Sequence, residues 1–134
     1  MDAYEFYRQI VEPNCENALR PPYHLRLAWN AIAALNTVLE FIVLHRLGYQ
    51  TDVDRDLLYR ETEDIRKKYP ALTQLNDEAI KLKNVRRLPR EGNEPLSGVK
   101  SSTSPAIAEP TLAELLETIR DAFQTIKAFP ELSR

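Results

Sequence analysis

Apolar residues recur every three or four positions along most of the chain, which is the spacing of an amphipathic α-helix. The first such segment begins at Asp2, a residue type that accepts hydrogen bonds from the first helical turn. Its apolar positions are Tyr4, Tyr7, Ile10, Val11, Cys15, Ala18 and Leu19. Pro13 removes one backbone hydrogen bond and disfavours α geometry at Glu12. We therefore expect a kinked helix, or two short pieces, ending at Pro21 and Pro22.

The second segment, 23–47, has the widest apolar surface and is predicted to be the central helix of the core. Its apolar positions are Leu25, Leu27, Ala28, Ala31, Ile32, Ala34, Leu35, Val38, Leu39, Phe41 and Ile42. A polar strip of Arg26, Asn30, Thr37 and Glu40 is expected to face water, and Gly48 to supply a left-handed C-cap. Asn30, Asn36 and Glu40 interrupt the apolar stretch, and a charge at mid-membrane costs about 2.5 kcal/mol or more. The pattern thus favours a buried core helix over a membrane span.

Two further helices are predicted over 54–69 and 70–88. The first begins with acids and ends with Arg66, Lys67 and Lys68, which suits the helix dipole, but its apolar line is thin and typical of a peripheral helix. The second begins at Pro70 and is expected to stop at Pro89. Its apolar stripe consists of Leu72, Leu75, Ala79, Leu82 and Val85.

Residues 89–110 contain four prolines, two glycines and a serine-rich run, and they show little apolar periodicity, so a long loop is predicted. Thr111 and Glu114 then have the spacing of a capping box. They precede the apolar positions Leu112, Leu115, Leu116, Ile119, Phe123, Ile126 and Phe129. A last helix is therefore predicted from Thr111 to Pro130.

The sequence shows neither sustained alternation of apolar and polar residues nor an internal repeat, which argues against sheets and solenoids. The predicted fold is all-α: an antiparallel bundle of four to five helices with one long loop before the last helix. A length of 134 residues suits a single domain over 1–134, with 89–110 as its loop.

Composition and charge indicate an ordinary globular protein. The chain is 43% hydrophobic and 28% charged, with a net charge of -2, which provides no overall attraction for nucleic acid. Cys15 is the single cysteine, so no intrachain disulfide can form, and the acidic start does not resemble a secretory signal. We expect a cytoplasmic protein that does not associate with membranes.

Residue patterns for catalysis, metal binding and cofactor binding are missing. His24 and His45 lack the Glu-x-x-His spacing of di-iron bundles. The run of aspartates at 52, 54 and 56 resembles the start of a calcium loop, but Leu57 occupies the position that needs glycine, so helix capping is the better interpretation. No nucleophile elbow or phosphate-binding glycine loop is present. We predict no catalytic residue, no metal and no cofactor, and a chain that is not an enzyme.

One basic cluster has chemical interest: five cations, with no acid among them, lie at Lys81, Lys83, Arg86, Arg87 and Arg90. Of these, Lys83, Arg86, Arg87 and Arg90 are candidate contacts for nucleic-acid phosphates. The same residues also suit a solvated helix C-terminus, which the helix dipole favours. No aromatic residue for base stacking lies within the cluster.

Aromatic residues provide a second set of candidates. Trp29 and Tyr23, with other tyrosines along the chain, are candidate lining residues of a ligand pocket. Aromatic residues at helical spacing more often belong to the core or its rim, so that interpretation stays open beside the pocket.

The segment LNDEAIKLKNVRRL at 75–88, together with the long core helix before it, resembles the HEPN-like superfamily of small prokaryotic helical proteins. In active RNases of that superfamily an arginine, a short polar spacer and a histidine form a composite dimeric site. Here Lys81 and Arg86 lie near the place of that motif, but both histidines precede it. The resemblance therefore implies a helical bundle of a kind that often dimerises, and a chain that is a non-catalytic descendant of the superfamily. It does not imply RNase activity.

Three functions remain as hypotheses. The first is a non-enzymatic interaction module that binds itself as a homodimer, or another protein, because the first and last amphipathic helices flank a small core. The second is an RNA-binding or degenerate HEPN-like RNA-processing protein that uses the basic cluster. The third is a small-molecule binder whose pocket contains Trp29, with the 89–110 loop as a lid.

Overall fold

The computed structural model describes residues 1–48, 54–91 and 110–133, and it describes side chains for all of these except 84–91. The helices are α1 (Ala3–Phe6), a π-helical turn (Tyr7–Val11), α2 (Glu12–Ala18), α3 (Leu25–Arg46), α4 (Arg55–Lys68), α5 (Pro70–Glu91), α6 (Leu112–Lys127) and a 3-10 turn (Pro130–Leu132). No strand occurs in the described ranges. The predicted all-α bundle is confirmed, with α1, the π-helical turn and α2 forming one continuous first helix.

The first helix begins with a capping box and passes through Pro13 without a break. Asp2 Oδ1 accepts from the backbone N–H of Glu5 at 2.8 Å, and Glu5 Oε1 accepts from the N–H of Asp2 at 2.9 Å. The distortion expected at Pro13 takes the form of the π-helical turn, in which the N–H of Glu12 donates to the carbonyl of Tyr7, five residues earlier. The extra residue in that turn accommodates the proline ring, so the helix is distorted by a π-helical turn and is not divided into two pieces.

Helix α3 is the central helix and packs against α1, α2, α4, α5 and α6. Its buried residues are Ala28, Ala31, Ile32, Ala34, Leu35, Val38, Leu39, Ile42 and Val43. The predicted polar strip is exposed, and Gly48 follows the helix with a φ of 79°. Leu25, which the stripe placed in the core, is instead 56% exposed because it is the first residue of the helix.

By length and composition alone, α3 is also apolar enough to cross a membrane. Half of its most apolar window is buried inside the bundle. Its outer face carries Arg26, Asn30 and Glu40.

Helices α4 and α5 are separated by Tyr69 alone. Asp54 caps α4 by accepting from the N–H of Asp56 at 3.2 Å, and only Thr62 and Ile65 are buried, so α4 is peripheral as predicted. The expectation that Pro89 ends the next helix is wrong, because α5 continues to Glu91. Pro89 lies close to the end of the helix, where its ring removes one backbone hydrogen bond without interrupting a long ladder. The rest of the predicted loop, 92–109, lies outside the described residues.

Helix α6 begins with the predicted capping box: Glu114 N–H donates to Thr111 Oγ1 at 3.1 Å, and Thr111 N–H donates to Glu114 Oε1 at 2.8 Å. Its apolar face is buried against α2, α3 and α5. The rings of Tyr7 and Phe123, from the first and last helices, lie 6.4 Å apart. The apolar faces of these two helices therefore fill the core of their own chain, which leaves little of them for a partner.

Candidate binding cleft between α3, α4 and α5

A cleft of about 260 Å³ opens between α3, α4 and α5. Helix α3 lines it with Trp29, Ala33, Thr37 and Glu40, which helical periodicity places along one side of the helix. Ile32 lies at its floor and belongs to the core. Ala33 of α3 and Ala79 of α5 also line the cleft, and their small side chains fill little of the space between the two helices.

Helices α3 and α5 run in opposite directions along this cleft. At one end Phe129 contacts both of them: its ring is 5.4 Å from that of Tyr69, just before α5, and 5.8 Å from the guanidinium of Arg46, the last residue of α3. Further along, Asn36 Nδ2 donates to Asn76 Oδ1 at 3.4 Å. Seven residues before Asn36 is Trp29, and seven after Asn76 is Lys83, so these two residues lie at the same end of the cleft.

The inner wall of the cleft is polar and internally bonded. Arg66 on α4 has a side chain only 12% exposed, and it forms an ion pair with Glu63. Its Nη2 donates to Asn36 Oδ1 at 3.0 Å, and Asn36 in turn bonds to Asn76, so one hydrogen-bonded row crosses all three helices. Arg66 Nε has no hydrogen-bond partner within the described part of the chain. The carboxylate of Glu63 offsets most of the cost of burying this cation.

The α5 edge of the cleft carries an exposed apolar side chain. Ile80 of α5 is 49% exposed at its edge. A second depression of about 810 Å³ continues from there along α4 and shares Glu40, Arg66, Asn76 and Ile80 with the cleft. Tyr59, 66% exposed, lies in this extension. Ile80 and Tyr59 are thus two large side chains that a molecule bound along the groove would cover.

The two ends of the cleft carry opposite charges. Lys83 lies at the Trp29 end, whereas Glu40 lies at the other end of the α3 side. The eleven residues from Trp29 to Glu40 correspond to roughly 16 Å along the helix axis. Glu40 and Lys83 are both exposed, so the cleft is a dipolar groove with little net charge.

The structure brings together two residues that sequence reasoning assigns to different sites. Trp29, a candidate for a ligand pocket, and Lys83, a candidate for phosphate contacts, line the same cleft. Tyr23 does not line it; it lies in the turn before α3 and is 43% exposed. Asn36, Arg66, Asn76 and Ile80 are site residues that the sequence does not predict.

The basic cluster is only partly described. Lys81 forms an ion pair with the buried carboxylate of Glu78, whose Oε1 lies 3.6 Å from Lys81 Nζ. The charge of Lys81 is therefore partly neutralised within the chain. Positions 86, 87 and 90 are helical, and their side chains lie outside the described residues. Because α5 is continuous to Glu91, positions 83, 86, 87 and 90 share an arc of about 100° on the helix.

Other residues weighed for chemistry have structural surroundings. Cys15 is fully buried. Its burial, and to a smaller extent the nearby charge of Glu16, raise the pKa of the thiol to about 12, which keeps the thiol neutral. Asp54 caps α4 as expected, and Asp52 lies outside the described residues. Within 1–48, 54–91 and 110–133, no group of three or more His, Cys, Asp or Glu side chains is arranged to hold a metal ion.

Comparisons of the chain with protein-family models, with curated proteins and with solved structures found no match.

Proposed function

We propose that this chain is a non-enzymatic α-helical interaction module that binds a protein partner through the face formed by α3, α4 and α5. The observation that carries the proposal is the dipolar cleft with exposed Ile80 and Tyr59 along its rim. In protein interfaces a few large side chains become buried and carry most of the binding energy, with polar residues around them. Ile80 and Tyr59 are exposed side chains of this kind, and polar residues of the groove lie beside them.

The openness of the cleft favours a partner's side chains over a small molecule. Ligand pockets of proteins usually enclose about 300–1,000 Å³ and bury most of the ligand. The cleft here is about 260 Å³, and it runs into the open depression of about 810 Å³ along α4, so a small ligand held there would stay largely uncovered. It suits one protruding side chain from a partner that also covers Ile80 and Tyr59.

Site-specific photo-crosslinking in living cells tests this function. A photoreactive amino acid replaces Ile80 in one variant and Gln124, exposed on α6 and outside the cleft, in a matched control. We expect a discrete crosslinked protein band from position 80 and none from position 124. Equal crosslinking at the two positions, or none at position 80, would contradict the proposal.

RNA binding is a second candidate, and the continuity of α5 to Glu91 favours it. The helical positions 83, 86, 87 and 90 share one arc of α5, and cations that share an arc support contact with a phosphate backbone. The test is an RNA titration across a salt series, with Arg86→Glu/Arg87→Glu against Lys67→Glu/Lys68→Glu, which reverses two exposed charges on α4. Affinity that falls steeply with salt and is lost only in the α5 variant supports RNA binding. The HEPN-like kinship and a cytoplasmic location remain predictions.

A further inference from the structure

We infer that the partner that occupies this face is a second copy of the same chain, related by a twofold axis through the middle of the cleft, with Lys83 of each copy paired to Glu40 of the other. This inference rests on the proposed function and names its partner. It is carried by the arrangement of charge along the cleft and by the small residues at its middle.

The charge pattern is complementary to itself after a half-turn. A twofold axis that lies in the plane of the interface and crosses the groove near Ala33 and Thr37 turns the second copy face down and exchanges the two ends of the groove. The Lys83 end of one copy then lies over the Glu40 end of the other, and the same pairing occurs a second time on the opposite side of the axis. A groove with one sign of charge at both ends would repel its own copy, so the opposite signs are what permits this contact.

The middle of the cleft suits close approach between two helices. Ala33 and Thr37 are exposed on α3 at the place where the axis would pass, and neither has a long side chain to hold the second copy away. Ile80 stands beside them with about half of its surface exposed, so each copy offers one apolar side chain to the cleft of the other. Asn36, Arg66 and Asn76 bond to one another within one chain, so the pairing of Lys83 with Glu40 does not depend on them.

Charge exchange between the two positions tests the inference directly. In a Lys83→Glu homodimer, each new carboxylate would face Glu40, so two attractions become two repulsions; Glu40→Lys produces the same effect with two ammonium groups. In an equimolar mixture of the two variants, a heterodimer places two carboxylates on one chain opposite two ammonium groups on the other, which restores both attractions. The matched control is Arg120→Glu, a charge reversal on the exposed side of α6.

Sedimentation velocity over a range of concentrations measures the outcome, with circular dichroism to verify that each variant is folded. We expect a dimer for the wild type and for Arg120→Glu, at least about tenfold weaker association for each single cleft variant, and a restored dimer in the mixture. A mixture that stays monomeric, or single variants that dimerise like the wild type, would overturn the twofold pairing. If the wild type is monomeric and position 80 crosslinks to a different protein, the homodimer is overturned and the proposed function stands. If position 80 gives no crosslink, the homodimer and the proposed function are both overturned.

Discussion

Arg66 on α4 donates through Nη2 to Oδ1 of Asn36 on α3 at 3.0 Å, joining two helices that share little apolar contact. The same guanidinium forms an ion pair with Glu63, and Asn36 passes the connection on to Asn76 of α5. Since α4 buries only Thr62 and Ile65, this polar row holds a peripheral helix against the core. The polar residues of the inner wall of the cleft therefore also hold α4 against α3 and α5.

Removing Arg66 is expected to destabilise the fold. Arg66→Ala leaves the Glu63 carboxylate and the Asn36 amide without their partner in a largely buried setting, so we expect a loss of about 2 to 3 kcal/mol in the free energy of unfolding. Urea denaturation measures the change. Arg60→Ala, on the exposed side of the same helix, is the control and should stay within about 0.5 kcal/mol of the wild type. Equal effects of the two variants would show that the polar row contributes nothing.

The capping box of α6 provides a second test. Thr111→Ala removes the side-chain acceptor for the N–H of Glu114, and loss of such a cap costs about 1 kcal/mol. Thr125→Ala on the same helix removes only a hydroxyl bonded back to the carbonyl of Asp121, and it should change stability much less. Thermal or urea unfolding compares the two variants, and a larger loss for Thr125→Ala would contradict the role given to the cap.

The ion pair between α3 and the chain end predicts a dependence of stability on pH. Burial acts to raise the pKa of Glu131. It is outweighed by the hydrogen bonds from Arg46 and from the backbone N–H of Glu131 itself, together with the charge of Arg46. As a result the pKa of Glu131 is lowered from 4.5. Arg46 Nε lies 2.6 Å from Glu131 Oε2. Because the folded pKa is the lower one, the stabilisation is complete above the unfolded pKa and is lost as the pH falls through the folded value.

The variant that isolates this effect is Glu131→Gln, which keeps the shape of the side chain. We expect it to be less stable than the wild type at pH 7, and the difference should shrink as the pH falls below 4.5. Urea denaturation at a series of pH values measures the difference. A gap that stays constant as the pH falls well below that value would mean that the charge of Glu131 does not matter.

Cys15 is expected to be unreactive in the folded protein. Its side chain is fully buried, and burial raises the pKa of the thiol to about 12, so a negligible fraction is thiolate at neutral pH. Modification by a thiol reagent should therefore be slow in buffer and rapid in concentrated urea, as absorbance of the released chromophore would show. Rapid reaction without denaturant would place Cys15 at the surface and contradict the packing of the first helix.

Sequence alone determined the features of this protein that depend on one or two helical turns. The caps at Asp2, Asp54 and Thr111 and the left-handed Gly48 lie where the residue types indicate, because each cap satisfies backbone groups a few residues away. The apolar period likewise identifies α3 as the core helix and α4 as a peripheral one. Local signals fail where a proline has two outcomes: Pro13 follows a π-helical turn, and Pro89 lies within α5.

Only the tertiary structure decided the cleft. In the sequence, Asn36 interrupts an apolar stretch, Arg66 suits a helix end and Asn76 is one polar residue among several, and nothing in their spacing connects them. They meet because α3, α4 and α5 pack in a register set by side chains far apart in the chain. Periodicity reports which side of a helix is apolar, but it does not report which residues of other helices lie opposite. For that reason the sequence assigns Trp29 and Lys83 to separate sites, although they line one cleft.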